Sequence, residues 1–405
     1  MVNIAVLGYG TVGSGVVEVI HTNGKLINQR VGDEIKIKKV LDIRDFPGEP
    51  VQDLITHDFE EILGDEEIKI VVEVMGGIEP AYTFVKRSLL AGKSVATSNK
   101  ALVAAHGPEL LAIAKEKNIN FLFEASVGGG IPIIRALNSS MTADEIEEIT
   151  GILNGTTNYM LTKMFYEGAD YDDVLKEAQE NGYAERNPES DVEGYDSCRK
   201  IAILSSLISG QHVDFQDIYT EGITKITAED MKYAKEMGMT IKLLASSKRD
   251  RGKLYALVAP FLLTPENPLY SVNGVFNAIF VKGNVLGDAM FYGSGAGKLP
   301  TASAVVADVV EAAKNLKRNV MTMWKSEKLE IEDKADAIRH FFVRMSGEKE
   351  EWKEKVEEVF GEVKFVKADG LEGEFAFVTA AMMEGAYDAC AKKFENIIHM
   401  IRFKS

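Results

Sequence analysis

Short apolar runs alternate with helix-period segments from the first residues of the chain. Val2–Leu7, Ile35–Leu41, Ile68–Val74 and Phe121–Ala125 are predicted as buried strands, since continuous apolar runs of this length between turn residues suit a parallel sheet. Helical patterns lie between them, the first from Ser14 to about Asn23. The alternation covers about 135 residues, an ordinary domain size. Farther on, Glu147–Leu153, Thr220–Ile223, Lys253–Leu263 and Ala278–Val285 have strand character, with turns at Pro265–Pro268 and Lys282–Asn284. They predict an open α+β sheet. The tail reads strand Ile338–Met345, helix Glu350–Phe360, strands Val363–Ala368 and Phe375–Ala381, helix Gly385–Phe394 and strand Ile397–Phe403, a βαββαβ order. The expected boundaries are 1–136 completed by 300–320, 137–299, a charged linker at 321–335, and 336–405.

The first strand runs directly into Gly8-Tyr9-Gly10-Thr11-Val12-Gly13 and a helix. Strand, glycine turn and helix together form the dinucleotide-binding fingerprint. Two glycines allow the tight turn and close pyrophosphate approach, and the third lets helix pack on strand, with phosphates at the helix N-terminus. The fold class expected is α/β, with a Rossmann-like doubly wound parallel sheet. Asp42 ends the second strand, where a carboxylate can accept hydrogen bonds from the ribose of NAD; Arg44 can instead pair with the extra phosphate of NADP. NAD against NADP stays open at this point. Gly76 in Met75-Gly-Gly and Thr97 in SVATSNK stand at later strand ends, as does Lys100. Ligands of doubly wound sheets bind at such ends. Glu124-Ala-Ser-Val127-Gly-Gly129-Gly-Ile131 leaves the next strand, and its glycines free carbonyls to face a ligand or an ion. A second glycine-rich loop, Phe291 to Ser303 with Gly297 inside it, precedes a helix at Ala302–Asn315 and can approach the cofactor.

Asn181 to Lys200, NGYAERNPESDVEGYDSCRK, is the chemically densest stretch. Asp196 stands where it can cap the helix RKIAILSSLIS, and Lys200 follows four residues later on the same face. Tyr183, Glu185, Asp191 and Glu193 lie in the loop feeding that helix. A proton donor, several carboxylates and a helix start suffice to grip an amino acid and move a proton. The bland alternative is an exposed acidic loop with one i,i+4 ion pair. Upstream, Asn154-Gly-Thr156-Thr-Asn-Tyr is a strand-to-helix turn rich in hydroxyls and amides, suited to a polar ligand or simply a capped turn.

Composition narrows the class. The 405 residues carry 46% hydrophobic and 27% charged side chains, as in a globular protein of two or three domains. A net charge of -16 argues against nucleic acid as a partner. Apolar runs such as Val71–Met75 are far too short for a membrane span, and Met1 leads straight into a strand without a targeting segment, so a cytoplasmic location is expected. Cys198 and Cys390 form neither a disulfide framework nor a metal cluster.

GYGTVG, VVEVMGGIEPA, TSNKALVA, FEASVGGGIPII, GILNGTTNYML, GYAE followed by D, G, D and RK, and GSGAGKLPTASAV occur in the order found in homoserine dehydrogenases, and residues 1–320 resemble that family. The resemblance implies reversible NAD(P)H-dependent reduction of L-aspartate 4-semialdehyde to L-homoserine, in threonine, methionine and isoleucine biosynthesis. It implies Lys200 as the catalytic lysine, Asp196 as its support, Glu185 as ligand of the substrate ammonium, and Lys100 as a second lysine near nicotinamide and substrate. Asp191, Thr156 and Tyr183 join them as substrate-side candidates. It also implies a monovalent cation, Na+ or K+, on the carbonyls of Glu124, Val127, Gly129 and Ile131. Lys298, inside the GSGAG loop, departs from the uncharged residue that would approach a cofactor more easily, although a lysine can also touch phosphate. The tail resembles the ACT module, which implies an amino-acid effector such as threonine. Its first turn, MSGEKEEW, lacks the Asp-x-Pro-Gly segment that usually holds one, and dimerisation is the alternative role.

Two other readings compete. A cysteine-thioester aldehyde dehydrogenase would have to use Cys198, which points to another helix face than Lys200 and has no evident base. A nucleotide-binding regulatory sensor with an effector tail would not need Glu185, Asp196, Lys100 and Lys200 together. The sheet-rich middle and the tail predict a homodimer or homotetramer.

Overall fold

The protein is described by a computed structural model that covers every residue except Arg251, Met321 and Ser405. The chain divides into two units, each assembled from distant segments. The first is Met1–Glu145 with Ala202–Phe215 and Phe291–Leu329; the second is Ile146–Ile201 with Gln216–Met290 and Glu330–Ser405.

In the first unit, β1 (Val2–Leu7), β2 (Ile35–Leu41), β3 (Ile55–Thr56), β4 (Ile68–Glu73), β5 (Ser94–Thr97) and β6 (Phe121–Leu122) form one sheet in the order β3-β2-β1-β4-β5-β6. Its pairings are parallel throughout, which is the dinucleotide-binding arrangement with its switch point between β1 and β4. Helices α1 (Thr11–Val31), α2 (Phe59–Leu63), α3 (Ala81–Leu90), α4 (Lys100–Glu116) and α5 (Ile133–Arg135) link the strands or follow them. Helix α11 (Lys298–Lys314) returns from far down the chain, and its Ala302, Val305 and Val309 share one core with Ile4, Val6, Val16 and Val72. A Cβ on Gly15 would lie 2.8 Å from the Lys298 carbonyl oxygen, so only glycine lets α1 and α11 approach this closely. The predicted strand Phe121–Ala125 is shorter than expected. After Leu122 the backbone N–H of Glu124 turns to the Asp308 carboxylate, at 2.8 Å, and a short 3-10 turn begins.

In the second unit, β7 (Ile146–Ile152), β8 (Tyr219–Thr220), β9 (Thr240–Asp250), β10 (Lys253–Leu263), β11 (Phe276–Gly283) and β12 (Gly287–Ser294, of which Gly287–Met290 belong here) build a mixed sheet that continues into the C-terminal strands. Strand β9 is absent from the sequence reading because Lys242 and the Ser246–Ser247 pair interrupt its apolar pattern. The fold buries it between β7 and β10 all the same. Strand β12 takes over the start of the predicted glycine loop, which shrinks to Gly295–Gly297, and α11 begins four residues before Ala302. Its half-buried positions are Gly287, Ala289, Phe291 and Gly293, while Met290 and Tyr292 face outward, so the usual apolar-in alternation is weak. Helices α6 (Gly155–Glu167), α7 (Tyr171–Glu180), α8 (Glu189–Val192), α9 (Tyr195–Ser209, of which the first turns belong here) and α10 (Ala228–Glu236) complete this part.

The tail follows the predicted order. Its elements are β13 (Ile338–Arg339), β14 (Phe341–Ser346), α12 (Lys349–Phe360), β15 (Val363–Val366), β16 (Glu374–Thr379), β17 (Met382–Met383), α13 (Glu384–Ala391) and β18 (Ile397–Lys404). The first predicted strand is split at His340, since Ile338–Arg339 pairs with β17 instead of joining the main sheet. Strands β18-β14-β16-β15 are antiparallel throughout, and Phe341, Val343 and Met345 pack with Val356, Phe360, Tyr387 and Phe394 of the helices and α13–β18 connection. Strand β18 also pairs in parallel with β10, Phe261 opposite Arg402, so the tail's sheet and the middle sheet are one. Among the described residues no helix is long and apolar enough to cross a membrane.

Candidate active site

Strand β7 delivers the chain into α6 through Asn154, whose side-chain oxygen accepts from the Thr157 N–H at 2.9 Å and caps the helix. The amide nitrogen of the same residue donates to Asp191 Oδ1 at 2.8 Å and Asp196 Oδ2 at 2.9 Å. Lys200 Nζ donates to Asp196 Oδ2 and to the Leu153 carbonyl, both at 2.7 Å, and both charged side chains are buried. Asp196 is the second residue of α9 rather than a residue preceding it, so its carboxylate lies one turn from Lys200, as the i,i+4 spacing predicts. A buried ammonium is tolerated because a carboxylate and a carbonyl face it. The bland reading of an exposed pair therefore fails.

Around this cluster, Thr156 Oγ1 donates to the Tyr183 carbonyl at 2.6 Å, and the rings of Tyr159 and Tyr183 lie 4.9 Å apart. Glu185 is exposed in the connecting loop, with its carbonyl accepting from Gln179 at 3.1 Å. The second unit thus ties Lys200, Asp196 and Asp191 together through Asn154, while Thr156, at the start of the helix that Asn154 caps, forms a separate hydrogen-bonded pair with Tyr183. The hub, Asn154, opens the turn that the sequence marks as suited to a polar ligand or as a capped turn; the link from its side chain to Asp191 and Asp196 is visible only in the fold. A cavity of about 940 Å³ in this unit lies elsewhere, lined by Glu148, Lys248, Arg339 and Lys404 among others, and holds none of these residues.

The first unit carries the nucleotide-binding turn. A Cβ on Gly13 would lie 1.9 Å from the Gly8 carbonyl oxygen, whereas one on Gly10 would meet nothing within 4 Å. The turn is closed beneath and open above, and the first N–H groups of α1, from Thr11, Val12 and Gly13, lack intrahelical partners by helix geometry. This fits a pyrophosphate. Asp42 accepts from Tyr9 N at 2.7 Å and from Arg44 N and Nε at 3.0 and 2.9 Å. The guanidinium hydrogen-bonded to it holds Asp42 down at about 2, against the opposing effect of burial. Asp42 and Arg44 are thus first partners to each other. At the next strand ends, Glu73 is fully buried and accepts from Thr97 Oγ1 at 2.6 Å and Met75 N at 2.8 Å. Burial raises its pKa, opposed by these donors. Glu73 fixes the turn containing Gly76 and was overlooked, although a glutamate inside the run VVEVM was the available signal. Lys100 is the first residue of α4, half-buried, where the helix dipole opposes a cation. Lys298 pairs with Glu18 at 2.7 Å, and Gly297 is the cap residue before it at φ 117°.

The turn proposed for a cation is held at both ends. Glu124 accepts from Ile134 N and Arg135 N at 2.8 and 2.7 Å, and Asp308 accepts from Glu124 N and from Arg135 Nη2. Gly128 and Gly129 take φ of 74° and 54°, conformations that favour glycine. The Glu124 and Ile131 carbonyls each accept one backbone hydrogen bond, from Val127 and Ile133, and a carbonyl oxygen retains a second lone pair for a hard cation. Asp308 lies inside the apolar run AVVADVV of α11, where the sequence gives no sign of its partners.

Comparison with known proteins agrees with both halves. A sequence model described as "Homoserine dehydrogenase, NAD binding domain" matches residues 8–124, and one described as "Homoserine dehydrogenase" matches residues 132–310. The homoserine dehydrogenase of Bacillus subtilis is 44% identical over 323 residues, which is 79% of this chain and 74% of that protein. The crystal structure of a homoserine dehydrogenase from Thiobacillus denitrificans superposes with a TM-score of 0.90 at 34% identity, over 100% of this chain and 98% of that one. A hyperthermophilic archaeal homoserine dehydrogenase mutant, solved in complex with NADPH, gives 0.65 at 30% identity, over 77% of this chain and 97% of that one. Neither the cysteine mechanism nor the regulatory sensor is favoured by these relatives. With the nucleotide turn in one unit and the buried Asp196–Lys200 pair in the other, the chain belongs to the homoserine dehydrogenase family of NAD(P)-dependent oxidoreductases.

Proposed function

We propose that Lys200 exchanges the proton with the reacting oxygen in the interconversion of L-aspartate 4-semialdehyde and L-homoserine. The observation that carries this reading is the buried Lys200 ammonium, held by Asp196 and the Leu153 carbonyl. A bound nicotinamide cofactor would supply or accept the hydride. As charge gathers on the carbonyl oxygen, a nearby ammonium in a water-poor site both stabilises and protonates it. Asp196 positions that ammonium, and Asn154 ties Asp196 to Asp191. Glu185 and Asp191 suit the substrate ammonium; Thr156 and Tyr183 shape the turn beside them, and Lys100 serves on the cofactor side. The carbonyls of Glu124, Val127, Gly129 and Ile131 would hold Na+ or K+ and stiffen their turn.

For the cofactor we infer a preference for NADP, bound through Gly8 to Gly13, Gly76, Thr97 and Gly297. Arg44 neutralises Asp42, the residue that would otherwise repel a 2′-phosphate. The NADPH held by the archaeal relative is consistent with this. Purified protein given L-homoserine should raise absorbance at 340 nm with either cofactor, faster with NADP and with Na+ or K+ present. Arg44→Ala should lower kcat/KM for NADP about tenfold, with a much smaller loss for NAD. An equal loss for both would refute Arg44 as the phosphate reader; no activity under any of these conditions would sink the enzyme reading.

We place the dinucleotide-binding domain at 1–136 with 300–320, the catalytic and dimerisation domain at 137–299, the linker at 321–335 and an ACT-like module at 336–405, in a cytoplasmic protein. The βαββαβ order and antiparallel β18-β14-β16-β15 sheet support the module. Gly347, after β14, is crowded by the Trp352 indole, 2.8 Å from its Cβ position, where an effector loop would need room. This favours association over amino-acid binding. Phe276, Val285, Leu286 and Met290 expose apolar side chains at the β11–β12 end of the sheet and support a homodimer. Sedimentation should give at least twice the 44.5 kDa of one chain, and a monomer mass would defeat the dimer.

A further inference from the structure

The tail is joined to the middle sheet by a buried charge cluster. Arg402 on β18 is 1% exposed, and Glu384, at the start of α13, is fully buried. Arg402 Nη2 donates to Glu384 Oε1 and Nη1 to Glu221 Oε2, both at 2.7 Å. Lys334 donates to Glu384 at 2.9 Å, and the Tyr219 hydroxyl donates to Glu221 at 3.0 Å. A guanidinium buried with two carboxylates is a rigid fork, and breaking one arm leaves an uncompensated charge.

Glu221 does not end this chain of contacts. Its own N–H donates to the Val258 carbonyl at 2.8 Å, directly after β8 pairs with β10. The next residue, Gly222, lies so near α8 that a Cβ there would sit 2.0 Å from the Val192 carbonyl oxygen and 2.5 Å from Glu193 Cα. Ile223 N then donates to Val192 O at 2.8 Å. On the other side a Cβ on Gly194, at φ 83°, would lie 3.1 Å from Thr220 Cγ2 and 3.2 Å from Val258 Cγ1. Val192 directly follows Asp191, which accepts from Asn154, the residue that also holds Asp196 against Lys200. From Arg402 to Lys200 every link is a hydrogen bond, a peptide bond or a close backbone contact.

We propose that Arg402 and Glu221 are positioning residues for the homoserine site, through which the C-terminal module sets the place of Asp191. The proposal rests on the reading of Asp191 as a substrate-side group. A shift of the 219–223 segment is transmitted directly, because the Gly222–Val192 contact has no slack and the Ile223–Val192 hydrogen bond ties the two segments. It therefore alters substrate binding and leaves the cofactor turn of the other unit alone.

The test is steady-state kinetics of the full chain carrying Glu221→Gln, Gly222→Ala or Arg402→Lys, with Asp191→Asn alongside and melting temperatures measured for each. Glu221→Gln keeps shape and removes charge, and Gly222→Ala pushes on Val192 without touching any charged group. Both are expected to raise the homoserine KM about tenfold, with kcat and the NADP KM within about twofold. Arg402→Lys, which keeps the charge but loses the fork, should fall between them and the wild type. If homoserine KM stays within about twofold in both variants while Asp191→Asn raises it, the coupling is absent and the proposal is overturned. A rise of homoserine and NADP KM in the same proportion, with a lower melting temperature, also overturns it, since that is general loosening. If Asp191→Asn itself leaves the homoserine KM unchanged, the substrate-side reading of Asp191 fails and the proposal falls with it.

Discussion

Lys200→Ala should reduce kcat/KM for homoserine oxidation about a thousandfold or more, with NADPH binding unchanged. The variant removes both the proton acceptor and the positive charge from a buried place where the Asp196 carboxylate and the Leu153 carbonyl now face a methyl group. Lys200→Arg separates the two roles. It keeps a charge of the same sign, but a guanidinium does not give up its proton near neutrality, so it should recover little turnover. Initial rates at 340 nm give the catalytic loss, and NADPH fluorescence enhancement gives cofactor binding. Turnover by Lys200→Arg close to that of the wild type would mean that charge alone matters and that another group moves the proton.

The second large effect concerns stability and belongs to Lys242. This lysine on β9 is 1% exposed, and its ammonium donates to the Val272 carbonyl at 2.6 Å, Asn273 Oδ1 at 2.8 Å and Asn158 Oδ1 at 3.2 Å. Those partners are neutral, and burial pushes its pKa from 10.5 down to about 7. Above 10.5 the side chain is neutral in folded and unfolded chains alike, and no cost is felt. Between 10.5 and 7 the unfolded chain binds the proton more readily, so stability falls as pH falls, and below 7 the cost is complete. Wild type should therefore gain stability from pH 7 toward 10.5 relative to Lys242→Met, by as much as about 4–5 kcal/mol at 1.36 kcal/mol per unit. Urea unfolding of both proteins at pH 7 and pH 9.5 checks this. Parallel pH dependences would show that the lysine titrates in the fold as it does in water.

The two lysines are not equally visible in the sequence. Lys200 stood out because Asp196 lies one helical turn away and a polar loop precedes it. Lys242 was hidden, because the sequence reading left β9 unassigned and the acceptors of its ammonium come from α6 and from the loop before β11. Cofactor reading shows the same division. Asp42 and Arg44 could each be assigned a ligand from the sequence, but that they bind one another is a property of the folded turn.

Features that depend on neighbours along the chain were legible before any fold was known. The glycine turn after β1, the strand and helix periods of the first unit, the capped start of α6, the i,i+4 pair of α9 and the βαββαβ order of the tail all follow from residues within a turn or two of one another. Tertiary structure decided the contacts between distant segments. Asn154 meets Asp191 across 37 positions and Asp196 across 42, and Glu124 meets Asp308 across 184. The pairing of β18 with β10, which makes one sheet of the middle and the tail, belongs with them. Hydrophobic period fixes which face of an element is buried, but not what it is buried against. A buried polar group must find a partner, and which partner is settled only when the chain has closed around it.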